Sequence, residues 1–142
     1  MSYLPDNLPP PEPGLDDTVF WQNLAGRRLA FQACGDCGRV RHPPTPLCPA
    51  CRSTAQDWVE APERARLFTF TVVHYAAHES VRPILPYNVA VVEFPELEGV
   101  RLVTNVVGAE AESLRIGMTL ELVWEPFREG WLPRFRPLET SR

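Results

Sequence analysis

Two cysteine pairs separated by ten residues, followed by four β-branched and aromatic runs between turn residues, predict a mainly β protein. The expected order is a short N-terminal helix and a zinc ribbon, then a small closed barrel for which the OB-fold is the candidate. The 142 residues give room for a mini-domain joined to such a barrel. The expected divisions are an extended proline-rich segment over 1–15, helix plus ribbon over 16–57, barrel over 58–138 and a tail over 139–142.

Residues 1–15 hold five prolines, which deny the segment regular structure. Such a stretch is either disordered or laid as an extended strap across a partner. Asp16 or Asp17 offers an N-cap for a helix over Thr18–Ala25, with Phe20 and Leu24 on one face and Gly26 at the stop. A helix this short must pack on something to persist. Residues 28–33 alternate, placing Leu29 and Phe31 on one side and Arg28 and Gln32 on the other, and so form a strand leading into the first cysteine pair.

Cys34, Cys37, Cys48 and Cys51 have the spacing of two metal knuckles, and Gly38 stands where such a turn favours positive φ. Four thiolates complete a tetrahedron and leave no open position, so the zinc is expected to be structural and not to activate water. A rubredoxin-type iron site has the same ligand geometry and stays an alternative. Residues 38–47, stiffened by three prolines, are expected to form the ribbon's loop.

After Cys51 come runs at 66–75, 87–94, 100–107 and 119–124, with a fifth short strand near 131–135 and one helical turn over 111–116. Phe68 and Phe70, two residues apart, are expected on one face as barrel filling. With Tyr75 they are also the residues a single-strand nucleic-acid platform would use. Net charge is −4 over residues 1–26, +3 over 27–66 and −3 over the rest, which is not the balance of a protein held on phosphates.

The three histidines do not make an active site by spacing. His42 falls in the proline-rich loop, His74 ends a strand and His78 follows in a turn. A cluster of His74, His78 and Glu79 would need a nucleophile or a fixed carboxylate that the sequence does not supply. There is no phosphate loop, dinucleotide fingerprint, nucleophile elbow or calcium loop. No stretch reaches the length of a membrane helix and the N-terminus lacks the pattern of a signal peptide, so a cytoplasmic protein with reduced thiols is expected.

Taken in order, Phe20-Trp21, CGDCGRVRHPPTPLCPAC (34–51), LFTFTVVHY (67–75), PYNVAVVEF (86–94), GVRLVTNVVG (99–108), LRIGMTLELVWE (114–125) and LPRFRP (132–137) resemble one family over residues 17–138. This is the acyl-CoA-associated family with a rubredoxin-like zinc ribbon and an OB-fold, long catalogued as a domain of unknown function. The resemblance implies a non-catalytic accessory subunit in a hetero-oligomer with a thiolase-fold protein, either a thiolase or a retro-aldolase. Such a complex acts on acyl-CoA thioesters of steroid side chains or aromatic compounds. The partner would carry the catalytic residues, while this chain stabilises it and helps form the acyl-CoA entrance. No catalytic residue is assigned here, and a direct CoA contact is left open. The nucleic-acid-binding module, a reading members of the family have received by analogy of fold, and a stand-alone acyl-CoA carrier are the alternatives.

Overall fold

The computed structural model describes residues 2–138. The expected tail at 139–142 lies outside the described residues. Among those described, one helix, α1 (Thr18–Ala25), precedes eight strands: β1 (Ala30–Cys34), β2 (Val40–Arg41), β3 (Gln56–Glu60), β4 (Arg64–Val73), β5 (Tyr87–Phe94), β6 (Val100–Thr104), β7 (Thr119–Phe127) and β8 (Gly130–Pro137). They form two sheets, of order β2-β1-β3 and β6-β5-β4-β7-β8.

Helix α1 has the expected limits and buries Phe20 and Leu24. Its start differs from expectation, because the Asp17 side chain caps no backbone amide. The carboxylate instead accepts the Trp21 indole N–H at 3.1 Å, one turn along.

The ribbon sheet is more buried than alternation suggests. Every residue of β1 is buried, Gln32 included. The expected outward face of Gln32 is covered by the loop after β2, whose Thr45 N–H donates to Gln32 Oε1 at 2.8 Å. That loop is held again by Arg41, which donates from Nε to Thr45 Oγ1 at 2.9 Å. Strand β2 itself lies inside the stretch expected to be loop throughout, pairing Gln32 with Arg41 and Ala33 with Val40. Strand β3 was not foreseen; it straddles residue 58, where the sequence reading begins the barrel, and pairs in full with β1.

The second sheet closes on itself. Val106 bridges Phe135 in parallel, with Val107 N–H donating to the Phe135 carbonyl at 2.8 Å, so the β6 end meets β8. Five strands with this order and a parallel closure make the OB barrel. Asn88 reinforces the seam from β5 by copying a strand's hydrogen bonds with its side chain. Its Oδ1 accepts from Val106 N at 2.8 Å and its Nδ2 donates to Val106 O at 2.8 Å.

A one-residue bulge in β4 corrects the expectation for its aromatics. Leu67 pairs with Val92, yet Thr69 pairs with Val91, leaving Phe68 as the extra residue. The inward phase therefore changes from odd to even positions. Leu67 is fully buried and Phe70 packs on the core, while Phe68 is turned outward under the Arg101 guanidinium, 3.7 Å from its ring centre.

Ribbon and barrel share one core. Leu29 and Phe31 of β1 and Phe20 and Leu24 of α1 belong to the same buried cluster as Leu67, Phe94, Leu120 and Phe135. The ring of Phe31 lies 5.2 Å from that of Phe94, which lies 6.0 Å from Phe135.

The proline-rich segment follows a defined path without a helix or strand of its own. It lies along its own barrel, with Tyr3 N–H donating to Glu125 Oε2 at 2.9 Å and the Tyr3 hydroxyl accepting from Asn88 N and Nδ2, each at 2.8 Å. Apolar contact adds to this, since Leu4, Leu8 and Pro11 face Phe20 and Leu102 across a shared cavity.

Candidate metal centre

Each cysteine pair is held by the same local turn. Gly38 N–H donates to the Cys34 carbonyl at 3.0 Å, and Arg52 N–H to the Cys48 carbonyl at 2.8 Å. Both fourth residues have positive φ, 80° at Gly38 as expected and 65° at Arg52. Arginine tolerates that conformation less readily than glycine, so the second knuckle is the more strained of the two. Strand β1 delivers Cys34, whose N–H donates to Arg39 O at 2.9 Å. A hydrogen bond from Ser53 Oγ to Asp36 Oδ2 ties one knuckle to the other.

This places all four sulfurs within 4.8 Å of one another, with Cys34–Cys51 at 3.4 Å and Cys37–Cys48 at 3.6 Å. Zinc–sulfur bonds of about 2.3 Å in a tetrahedron require sulfurs about 3.8 Å apart, so the constellation fits the ion with small adjustments. Cys34 and Cys48 are buried; Cys37 and Cys51 form the exposed half.

The thiols divide by charge. Amides of Cys37 and Asp36, each 3.4 Å from its sulfur, hold Cys34 down to about 6. Amides of Cys51 and Ala50 lower Cys48 in the same way. The Ser53 amide favours the Cys51 thiolate, but the sulfurs of Cys34, Cys37 and Cys48 together with desolvation outweigh it and push Cys51 up to about 12. Cys37 is also raised: the Arg39 amide lowers it, but Cys48, desolvation and Cys34 together outweigh that. Each close pair thus has one sulfur inclined to ionise and one that resists, because like charges this near repel. A dication held by these four sulfurs would balance the first pair of charges and favour loss of the remaining protons. With four thiolates and no vacancy, the zinc here is structural.

The histidines are placed apart from this centre. His42 is wedged between Phe20 and Phe31, its ring centre 4.9 Å and 5.2 Å from theirs. Burial lowers its pKa to about 4, against the opposing pull of the Asp17 carboxylate, and its Nδ1 is buried without a partner. It is a neutral, half-buried residue packed against the core rings. His78 Nδ1 accepts from Ser80 N at 3.1 Å and lies 2.7 Å from Ser80 Oγ, capping the short helical turn Glu79–Ile84. His74 is exposed, as is Tyr75 at 83%.

The sequence reading did not anticipate the buried ion pair of Glu125 and Arg134. Its side chains are each 9% exposed and Arg134 Nε stands 3.5 Å from Glu125 Oε2. Their positions on neighbouring strands are the only sequence signal, and register is needed to see it: Glu125 pairs with Leu132 and Val123 with Arg134.

Fold and site together define a class of protein, a structural-zinc ribbon built onto an OB barrel. Residues 21–56 match the family model described as the ChsH2 rubredoxin-like zinc ribbon domain, and residues 58–125 match the ChsH2 C-terminal OB-fold domain. A DUF35 domain-containing scaffold protein of Methanocaldococcus jannaschii is 31% identical over 84% of this chain and 89% of its own length. The chain belongs to the DUF35 family, in its ChsH2-like form. It is also 42% identical, over 89% of its length, to a probable enoyl-CoA hydratase alpha subunit of Thermomonospora curvata, but spans only 40% of that protein. Among solved structures, a chain of the Ltp2-ChsH2(DUF35) aldolase superposes with a TM-score of 0.82 at 39% identity, covering 90% of this chain and 98% of that one. No helix among the described residues is long and apolar enough to cross a membrane.

Proposed function

We propose that this chain is a non-catalytic accessory subunit that binds and stabilises a thiolase-fold enzyme and helps form its acyl-CoA entrance. The partner would be a thiolase or retro-aldolase acting on steroid side-chain or aromatic acyl-CoA thioesters, in a cytoplasmic hetero-oligomer. The observation that carries this reading is the full-length likeness to the DUF35 chain of an aldolase assembly. Other relatives, a probable hydratase alpha subunit and a scaffold protein, are by name proteins that work beside others. Chemistry agrees, since a closed four-sulfur site offers no position for substrate.

Exposure of Phe68 and Tyr75 favours single-strand nucleic acid. The Phe68 ring, however, is already stacked by Arg101 of the same chain and Phe70 packs on the core, which leaves Tyr75 as a lone ring and not a run of stacking platforms.

Affinity purification of the chain from its source cells tests the proposal. A thiolase-fold protein is expected in stoichiometric amount, with acyl-CoA carbon–carbon cleavage only when both chains are present. Cleavage by the isolated chain, or salt-sensitive oligonucleotide binding in place of a protein partner, would overturn it.

A further inference from the structure

The four cysteines of the metal centre do not meet solvent alike. Cys34 and Cys48, the first of each pair, are 2% and 1% exposed, whereas Cys37 and Cys51, the last of each pair, lie at the surface. Close sulfur contacts run between the knuckles and join one of each kind, Cys51 to Cys34 at 3.4 Å and Cys37 to Cys48 at 3.6 Å. Both surface cysteines thus touch a buried sulfur of the opposite knuckle.

Protein bonds alone also hold the knuckles side by side. Gly35 N–H donates to the Ala55 carbonyl at 2.8 Å, Ser53 Oγ donates to the Asp36 carboxylate, and Cys34 stands opposite Gln56 in the β1–β3 ladder. The backbones approach so closely that a Cβ on Gly35 would lie 2.8 Å from that of Ala55. Bond formation between the cross-knuckle sulfurs therefore asks for little backbone movement.

We propose that Cys37 and Cys51 are oxidation sites, and that peroxide converts the metal centre into two cross-knuckle disulfides, Cys34–Cys51 and Cys37–Cys48. The surface thiolate attacks peroxide, breaking the O–O bond and leaving a sulfenic acid and hydroxide. The buried thiolate beside it then attacks that sulfur, forming the S–S bond and expelling a second hydroxide. Two electrons pass from each sulfur pair to one peroxide. The first disulfide removes two of the four ligands, and loss of the ion follows. The bridges replace the metal at the same four positions and close spans of 17 and 11 residues, so the oxidised ribbon keeps Leu29 and Phe31 of its first strand in the barrel core. This chemistry belongs to the ribbon and does not depend on which protein the chain binds.

Two measurements on the zinc-loaded full chain test this. Limited alkylation with iodoacetamide, read by peptide mass spectrometry, is expected to label Cys37 and Cys51 before Cys34 and Cys48. Hydrogen peroxide should release the zinc to a chromogenic chelator, and tandem mass spectrometry of the unreduced digest should find Cys34–Cys51 and Cys37–Cys48. The oxidised protein should also melt at a higher temperature than reduced protein stripped of zinc by chelation. Earlier labelling of a buried cysteine, zinc retained under peroxide, or any other disulfide pairing would overturn the proposal. So would sulfinic or sulfonic acids in place of disulfides, or an oxidised protein that melts no higher than the stripped one.

Discussion

The imidazole of His42 gives the protein a pH dependence that can be calculated. Wedged between Phe20 and Phe31, it has a folded-state pKa of about 4, against an ordinary value of 6.5. The unfolded chain therefore binds the proton that the folded chain refuses. The resulting stability is fully present above pH 6.5, declines as pH falls below it, and is lost by the time pH reaches the folded value of about 4. Between about pH 7.5 and about pH 5.5 the two titration curves differ enough to remove about 1.4 kcal/mol. That window is chosen to keep zinc on its thiolates, which zinc assay at both ends verifies. Urea unfolding of wild type and His42→Phe at the two pH values measures the effect. Wild type should lose about 1.4 kcal/mol more than the phenylalanine variant on acidification, because the substituted ring fills similar space and cannot titrate. The His42 ring protons, followed by NMR, should not shift across the window. An imidazole that titrates near 6.5 in the folded protein, or equal pH dependence in the two proteins, would refute the reasoning.

Three further outcomes are expected. Removing zinc by chelation, or by Cys48→Ala, should lower the thermal midpoint of the barrel as well as unfold the ribbon, because Leu29 and Phe31 lie in the barrel's own core; calorimetry with a single shared transition checks this. Phe31→Ala should cost about 3–5 kcal/mol in denaturant unfolding, since it empties a fully buried position against Phe94. Asn88→Ala should cost about 2–4 kcal/mol and speed amide exchange at Val106, whose N–H and C=O would be left buried and unpaired at the barrel seam.

The metal ligands, the helix limits and the barrel strands were legible because each rests on local chemistry. Cysteine spacing specifies a knuckle, and β-branched runs specify strands whatever their partners. The surroundings of Gln32 and His42 were not legible for a different reason. Gln32 reads as an outward strand position and His42 as a loop position, and only the fold of residues 42–47 over β1 buries the first and half-buries the second. Strand β3, over Gln56–Glu60, carries little apolar alternation and exists because β1 offers it a full ladder. The ion pair of Glu125 and Arg134 depends on register between two strands, which no single-strand pattern contains. The path of residues 2–11 is likewise set by distant acceptors and donors, Glu125 and Asn88, on the barrel wall.

The bulge at Phe68 divides β4 into two halves that keep separate phases. Because Leu67 and Thr69 already face Val92 and Val91, the register on either side is the one a strand one residue shorter would have. Deleting Phe68 would therefore leave every inward side chain facing inward, while deleting any other residue between Arg66 and Val72 asks the bulge to migrate. Position 68 is where this barrel can change its chain length without changing its interior. The residue standing there is free to vary with whatever the outer face of the sheet is required to meet.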